Sequence, residues 1–122
     1  LSSSSAASDV YKRQEAEQAV RRMLVLEPDS FNARLLLADS LSAVGRSADA
    51  VEVLEEAVDI ESNSPLLRLA LAKNLRESNE LERARREVYK GLALDPEHRE
   101  LHEELRLVEA RLNKKSEGAN EK

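Results

Sequence analysis

Two histidines lie one helical turn apart in the stretch His98-Arg99-Glu100-Leu101-His102. Side chains four residues apart on a helix face the same side, so the two imidazoles have a spacing that a metal ion can use. In the zinc-protease pattern a glutamate that acts as general base directly follows the first histidine, but here that position is Arg99. No third ligand accompanies the pair. We therefore interpret both histidines as polar residues at a solvated helix start, and we predict no metal and no cofactor.

Other catalytic patterns are missing from the sequence. Its three glycines are too far apart to form a phosphate-binding loop, and no serine stands in a recognisable nucleophile motif. No cysteine occurs, which excludes disulfides and thiolate metal sites. Carboxylates are numerous, but a run of them along one helix is typical of a solvated face; the run here is Glu52, Glu55, Glu56 and Asp59. We predict that the chain is not an enzyme.

The composition favours helices over strands. Leu, Ala, Glu and Arg dominate, and aromatic residues, which favour strands, make up only 2% of the 122 residues. The formal net charge of −5 argues against a phosphate-backbone partner, which needs a clustered basic surface. No apolar run approaches the roughly 20 residues of a membrane-spanning helix. We expect an all-α protein that binds no nucleic acid and has no membrane span in this sequence.

The first fourteen residues differ in character from the rest. Residues 4–14 read SSAASDVYKRQ, which resembles the in-frame translation of a transposon-type sequencing adapter. We expect residues 1–14 to be foreign to the fold and disordered. On this interpretation the natural start of the protein is missing, so its compartment is unknown and the cytoplasm is only the default.

A period of 34 residues runs through the remaining sequence. The segment Leu26-Glu27-Pro28 recurs as Ile60-Glu61-Ser62 and as Leu94-Asp95-Pro96. Small and apolar residues recur in the same register: Ala16, Ala50 and Ala84; Val20, Leu54 and Val88; Met23, Ala57 and Gly91; Leu37, Leu71 and Leu105; Ala38 and Ala72; Leu41 and Leu75; Gly45 and Asn79. A constant period of this length is typical of repeat proteins, in which each unit packs on its neighbours.

These residues resemble the tetratricopeptide repeat, a pair of antiparallel helices with small residues where the helices cross. The resemblance covers residues 15 to about 112. It implies an all-α, antiparallel helix-pair solenoid, wound as a right-handed superhelix, with about five helices in this chain. It also implies a truncated array, because residues 15–30 match only the second helix of a repeat. The aromatic positions of many repeats are changed here, since Arg34 and Arg68 replace Trp.

Local signals set the boundaries of the units. Ser64-Pro65 reads as an N-cap followed by proline at the first helical position. We predict repeats at residues 31–64 and 65–98, a C-terminal capping helix at residues 99–114, and a disordered tail at residues 115–122. Because the truncated repeat lacks its first helix, we expect Val20 and Leu24 to be exposed and to promote self-association.

The resemblance also implies a binding face. In tetratricopeptide arrays the first helices of successive pairs line a concave groove that accepts extended or helical peptides. The residues that the core pattern leaves free on that face are Asn32, Leu35, Asp39, Ser42, Leu69, Lys73 and Arg76. Leu35 and Leu69 could equally complete the packing between repeats. One subclass grips a peptide's C-terminal carboxylate with Lys and Asn, but Leu35 and Asp39 occupy those positions here.

We therefore expect a scaffold that binds a protein or peptide partner, of unknown identity, in its groove. Two alternatives stay open at this point: an oligomerisation segment whose apolar edge packs on another copy or domain, and a regulatory appendage of a larger multidomain protein. Substitutions in the groove would abolish partner capture under the first hypothesis. Under the oligomerisation hypothesis, charges on the N-terminal helix would dissolve the assembly instead.

Overall fold

The computed structural model describes residues 14–15 and 17–120. We number its helices in chain order: α1 comprises residues 14–15 and 17–26, followed by α2 (Phe31–Ala43), α3 (Ser47–Ile60), α4 (Pro65–Glu77), α5 (Leu81–Leu94) and α6 (Arg99–Asn120). The described residues contain no strand, so the all-α fold class is confirmed, with six helices where the sequence predicts about five. The predicted adapter sequence lies outside the described residues except for Gln14, which is helical rather than disordered.

Helices α2, α4 and α6 each begin at a side-chain cap, and the capping residues are 34 positions apart. Ser30 Oγ accepts a hydrogen bond from the backbone N–H three residues later at 3.1 Å. Ser64 Oγ accepts the equivalent bond at 3.2 Å, and His98 Nδ1 accepts it at 3.3 Å. Each cap satisfies a backbone donor that the first turn of a helix leaves without a partner. The cap predicted at Ser64-Pro65 is confirmed.

The turn inside each pair depends on a left-handed residue. Gly45 has φ +83° and Asn79 has φ +62°, a region that glycine and asparagine enter at the lowest steric cost. The backbone N–H of the next residue then donates to the carbonyl of Leu41 or Leu75, at 2.8 Å in both turns. This bond closes the end of the first helix and reverses the chain into the second.

Small residues let neighbouring helices approach closely. Ala50 and Ala84, on the second helices of the two pairs, are 0% exposed. A Cβ atom at Gly91 would lie 2.8 Å from Leu101 Cδ1 on α6 and 3.3 Å from Arg68 Cβ on α4. Helix α5 therefore packs against α4 and α6 at a distance that leaves no room for a side chain at this position.

The core runs along the array. Helix α2 packs on α3, α3 on α4, α4 on α5 and α5 on α6, while contacts of α4 with α2 and α6 join the first helices into a layer. One buried cluster extends from Val20 on α1 to Val108 on α6; its leucines are Leu37, Leu41, Leu54, Leu67, Leu71, Leu75 and Leu81. Burial of each such side chain contributes about 1.5–3 kcal/mol, which makes the apolar stripe the main stabilising feature.

In each pair, one arginine of the first helix forms an ion pair with a glutamate of the second helix. Arg34 Nε on α2 lies 3.3 Å from Glu56 Oε2 on α3. Arg68 Nη1 on α4 lies 2.8 Å from Glu87 Oε2 on α5, and these two side chains are only 14% and 13% exposed. The positions that carry Trp in many repeats therefore hold ion pairs in this chain.

The expected exposure of Val20 and Leu24 is wrong. Val20 is 8% exposed within the main buried cluster, and Leu24 is half-buried against that cluster. The physical reason is register: Val20 occupies the repeat position of Leu54 and Val88, which are both 0% exposed. Among the described residues of α1, the large apolar side chains that are exposed are Met23 (47%), Val25 (81%) and Leu26 (83%).

Helix α6 is longer than the sequence predicts. It continues from Arg99 to Asn120, so residues 115–120 are helical rather than a disordered tail. These residues include Lys115 and Glu117, which favour helix, and Gly118 is exposed with nothing near it. None of the helices in the described part of the chain is long and apolar enough to span a membrane.

Candidate functional site

The first helices of the repeats form one face of the molecule, and a cleft of about 210 Å³ lies between α2 and α4 on this face. Ten residues line the cleft: Leu35, Asp39, Ser42, Leu66, Leu69, Ala70, Lys73, Asn74, Glu77 and Glu100. We call this the α2–α4 cleft. It lies where the repeat pattern predicts a groove between successive first helices.

Five of the seven predicted binding residues line this cleft, namely Leu35, Asp39, Ser42, Leu69 and Lys73. Asn32 is exposed near the start of α2 and lines a separate depression formed by residues 27–32. Arg76 points to another partner, described below. The structure therefore brings most of the predicted set together and separates two of its members.

The apolar part of the cleft consists of leucines with different roles. Leu69 is 2% exposed and belongs to a second buried cluster with Val88 and Leu101, so it completes the packing between repeats. Leu35 is half-buried against the main cluster. Leu66 is 52% exposed, which leaves it available to an incoming side chain.

The cleft is acidic. Asp39, Glu77 and Glu100 face it with Lys73 as the one lysine among its lining residues, a net charge of −2. Lys73 Nζ lies 3.8 Å from Glu100 Oε2. Partial burial raises the pKa of Asp39 above its ordinary 3.8, because the carboxylate loses water, and the nearby Lys73 charge offsets part of that rise.

Glu77 is held in place by two hydroxyl groups. Ser42 Oγ on α2 donates to Glu77 Oε2 at 3.3 Å, and Ser47 Oγ on α3 donates to the same oxygen at 2.9 Å. No Lys or Arg of residues 14–15 and 17–118 forms an ion pair with Glu77. The carboxylate thus keeps its negative charge beside the cleft while neutral donors fix its position.

Asn74 contributes a buried acceptor that has no donor. Its residue is 5% exposed and lines the cleft, and its Nδ2 donates to the backbone carbonyl of Ala70 at 2.9 Å. The carbonyl can only accept, so the amide nitrogen must face it and the oxygen Oδ1 must face the other way. Oδ1 is buried without a hydrogen-bond partner, which is uncommon and energetically unfavourable.

Arg76 binds within the molecule. Its Nη2 lies 3.2 Å from Glu104 Oε1 on α6, and its Nε contacts the second carboxylate oxygen. The Glu104 side chain is 1% exposed and that of Arg76 is 16% exposed. This two-point ion pair joins α4 to α6 and occupies the guanidinium that the sequence assigns to a partner.

A family model for the tetratricopeptide repeat matches residues 41–108, more than half of the chain. The chain belongs to this family. The described helix pairs agree with the match, because the second helix of the first repeat and both helices of the second fall inside it. No curated protein matches the chain by sequence.

Solved tetratricopeptide structures share the fold. The first such domain of Spaghetti (RPAP3), bound to the HSP90 peptide SRMEEVD, superposes with a TM-score of 0.79 at 19% identity, over 86% of this chain and 83% of that one. The Sgt2 domain from Aspergillus fumigatus gives 0.81 at 18% identity, over 97% and 80% of the two chains. An O-GlcNAc transferase from Thermobaculum terrenum gives 0.72 at 25% identity, over 79% of this chain and 18% of the enzyme.

Both histidines form hydrogen bonds at the start of α6. His98 caps α6, and His102 Nε2 lies 2.7 Å from the carbonyl oxygen of Pro96. Within the described residues no group of three or more His, Cys, Asp or Glu side chains is placed to hold a metal ion. Both imidazoles therefore have structural partners at the start of the helix.

Sequence reasoning missed five residues of the tetratricopeptide cleft: Leu66, Ala70, Asn74, Glu77 and Glu100. In the sequence, Leu66 and Ala70 look like ordinary residues of an apolar helix face. Nothing in the sequence around Asn74 indicates that this polar residue is buried. The helical spacing of Leu66, Lys73 and Glu77 along α4 is a signal that could have found two of them, since residues three, four and seven apart share a face.

Proposed function

We propose that this protein is an interaction scaffold that binds a segment of a partner protein in the α2–α4 cleft. The observation that carries the proposal is the convergence of exposed apolar surface at Leu66 with the charged side chains of Asp39, Lys73 and Glu77 in one cleft. A few placed polar groups around an apolar surface are typical of binding sites. Tetratricopeptide repeats in general are protein-interaction modules, which supports the same assignment.

We do not propose that this chain binds the HSP90 peptide that is present in the Spaghetti (RPAP3) structure. The cleft is acidic, and Leu35 and Asp39 stand where the carboxylate-gripping subclass has Lys and Asn. We propose instead that the cleft recognises the partner segment through apolar contact with Leu66 and through the charged side chains around it.

The test compares two matched leucine substitutions. Leu66→Ser removes exposed apolar surface inside the cleft, whereas Leu94→Ser removes similar surface at the end of α5, where the leucine is 41% exposed. Proteins captured from a source lysate by the wild type and by each variant are identified by mass spectrometry. We expect partners to be retained by the wild type and Leu94→Ser and lost by Leu66→Ser. Equal capture by all three would reject the cleft as the binding site.

Edge-to-edge assembly is a second candidate, favoured by exposed apolar side chains near the N-terminal end of the array. Val25 and Leu26 on α1 are 81% and 83% exposed, and Leu36 on α2 is 52% exposed. Leu36 occupies the repeat position of Ala70, which in the next repeat is half-buried against the main core cluster. Under this hypothesis Leu36→Lys abolishes a concentration-dependent dimer in sedimentation velocity. A wild type that stays monomeric at all concentrations would exclude it for this chain.

A further inference from the structure

The polar groups that face the α2–α4 cleft are mostly acceptors. Asp39 and Glu77 present carboxylate oxygens, and the hydroxyl group of Ser42 donates its hydrogen bond to Glu77. The lone cation among the lining residues, Lys73, is already shared by Asp39 and Glu100. The cleft therefore offers negative charge and lone pairs without enough donors to satisfy them.

Asn74 points to the same requirement independently of charge. The residue lines the cleft, and its Oδ1 is buried without a hydrogen-bond donor, which is energetically unfavourable. The opposite amide orientation would set Oδ1 against the carbonyl of Ala70, so rotation does not remove the deficit. A donor group that enters the cleft and reaches this oxygen would satisfy it.

The shape of the cleft suits one side chain. Its volume of about 210 Å³ is below the roughly 300–1,000 Å³ of pockets that enclose a whole small molecule. Leu35, Leu66 and Ala70 supply an apolar wall along which an alkyl stem can pack. Long basic side chains bury their methylene groups against such walls while the charged head reaches polar groups.

We propose that the α2–α4 cleft receives a Lys or Arg side chain of the partner, so that the scaffold selects basic segments of proteins. The head group donates to Glu77, Asp39 and Asn74 Oδ1, and the stem packs on Leu66. This inference rests on the proposed function, because it names the chemistry of the segment that the same cleft binds. An acidic segment is disfavoured, since its charge would face a net charge of −2.

The experiment selects peptides from a phage-displayed random twelve-residue library on the full chain and measures the affinity of the enriched peptides by fluorescence anisotropy. We expect the enriched sequences to carry Lys or Arg, and replacement of that residue by Gln to weaken binding about tenfold or more. The double variant Asp39→Asn, Glu77→Gln should weaken binding similarly. Its matched control is Glu52→Gln, Asp59→Asn, two exposed carboxylates of α3, which should bind as the wild type does.

A second pair of variants tests the direction of the charge effect. Lys73→Glu changes the cleft from −2 to −4 and should tighten binding of the basic peptides, more so at low salt. Lys90→Glu makes the same change on α5, where the lysine is 57% exposed beside Glu87, and should leave the affinity close to that of the wild type. Weaker binding by Lys73→Glu would overturn the inference.

The two levels of the proposal fail differently. Enriched peptides that are neutral or acidic, yet lose affinity with Leu66→Ala, would overturn the basic-segment inference and leave the cleft as the binding site. If no enriched peptide responds to Leu66→Ala, both the inference and the proposed function are rejected. Basic peptides that respond to the cleft variants and not to the α3 control support both.

Discussion

At the scale of single residues, some polar side chains on this face form ion pairs inside the molecule and others line the cleft. Glu104 and Arg76 bind each other inside the molecule, whereas Asp39, Lys73 and Glu77 remain beside the cleft. The division follows burial, because a carboxylate that is 1% exposed must have a charged or hydrogen-bonding partner. Arg76 therefore stabilises the fold, and a substitution there tests stability rather than binding.

Arg76→Met should destabilise the protein strongly, by about 3–5 kcal/mol, because it leaves the buried Glu104 carboxylate without its cation. The double variant Arg76→Met, Glu104→Met should recover most of this loss, since an apolar pair can replace a buried ion pair at little net cost. Urea denaturation followed by circular dichroism measures both values. A double variant that is as unstable as the single one would refute this role of the ion pair.

Asp39 should make stability fall as pH rises. Its pKa is above 3.8 in the folded state, so the folded protein holds this proton more tightly than the unfolded chain does. Its contribution to stability is full below the unfolded pKa and is lost as pH rises through the folded pKa. The other charged groups of the cleft, Lys73, Glu77 and Glu100, are common to both proteins in a comparison of the wild type with Asp39→Asn.

The expected result is that Asp39→Asn gains stability relative to the wild type as pH rises above about 3.8, by less than about 1 kcal/mol because solvent screens the partly exposed carboxylate. The measurement is the difference in the free energy of unfolding at each pH, with the exposed Asp59→Asn as control. A difference that stays constant with pH would contradict the raised pKa.

At the scale of the helices, the repeat depends on close approach at a few small residues. The position of Gly91 is the tightest of the three glycines, because a Cβ there would meet side chains of both α4 and α6. The caps at Ser30, Ser64 and His98 and the turns at Gly45 and Asn79 then set where each helix begins and ends.

Gly91→Val should lower the free energy of unfolding by about 1–3 kcal/mol, since the added methyl groups overfill the contact with Leu101. Gly118→Val adds the same side chain to the exposed end of α6, where nothing lies within 4 Å, and should change stability far less. Chemical denaturation distinguishes the two variants. Equal stabilities would show that the helices can separate at Gly91 without cost.

Helix α1 should be an integral part of the fold. Val20→Asp places a charge at a site that is 8% exposed and should cost about 1–3 kcal/mol or more, whereas Val25→Asp, at a site 81% exposed, should cost little. Thermal unfolding of the two variants provides the comparison. If Val20→Asp melts with the wild type, α1 does not pack on the array.

At the scale of the whole molecule, the features that could be predicted from the sequence are those that follow from the 34-residue period. The recurrence of Leu37 at Leu71, and of Gly45 at Asn79, after 34 residues determines helix pairs, turns and buried faces, and all of these are found in the structure. The groove was also predicted to the extent that positions such as Asp39 and Lys73 follow from the repeat.

The rest depends on how side chains meet across helices. Arg76 and Glu104 are 28 residues apart, a separation that no local pattern connects, and their contact depends on the crossing of α4 with α6. The burial of Asn74 depends likewise on how α4 packs against its neighbouring helices. Val20 was wrongly predicted to be exposed because only a first helix of its own repeat was expected to cover it, whereas its register places it in the core.

The central claim is that the α2–α4 cleft is where this scaffold meets its partner. The most direct measurement is a titration of the ¹⁵N-labelled chain with a Lys- or Arg-containing peptide from the library, followed by amide chemical shifts. We predict that the largest shifts occur at Asp39, Leu66, Asn74 and Glu77 and that α5 changes little. Shifts concentrated on α5 or on the exposed side of α1, with the cleft unchanged, would contradict the account.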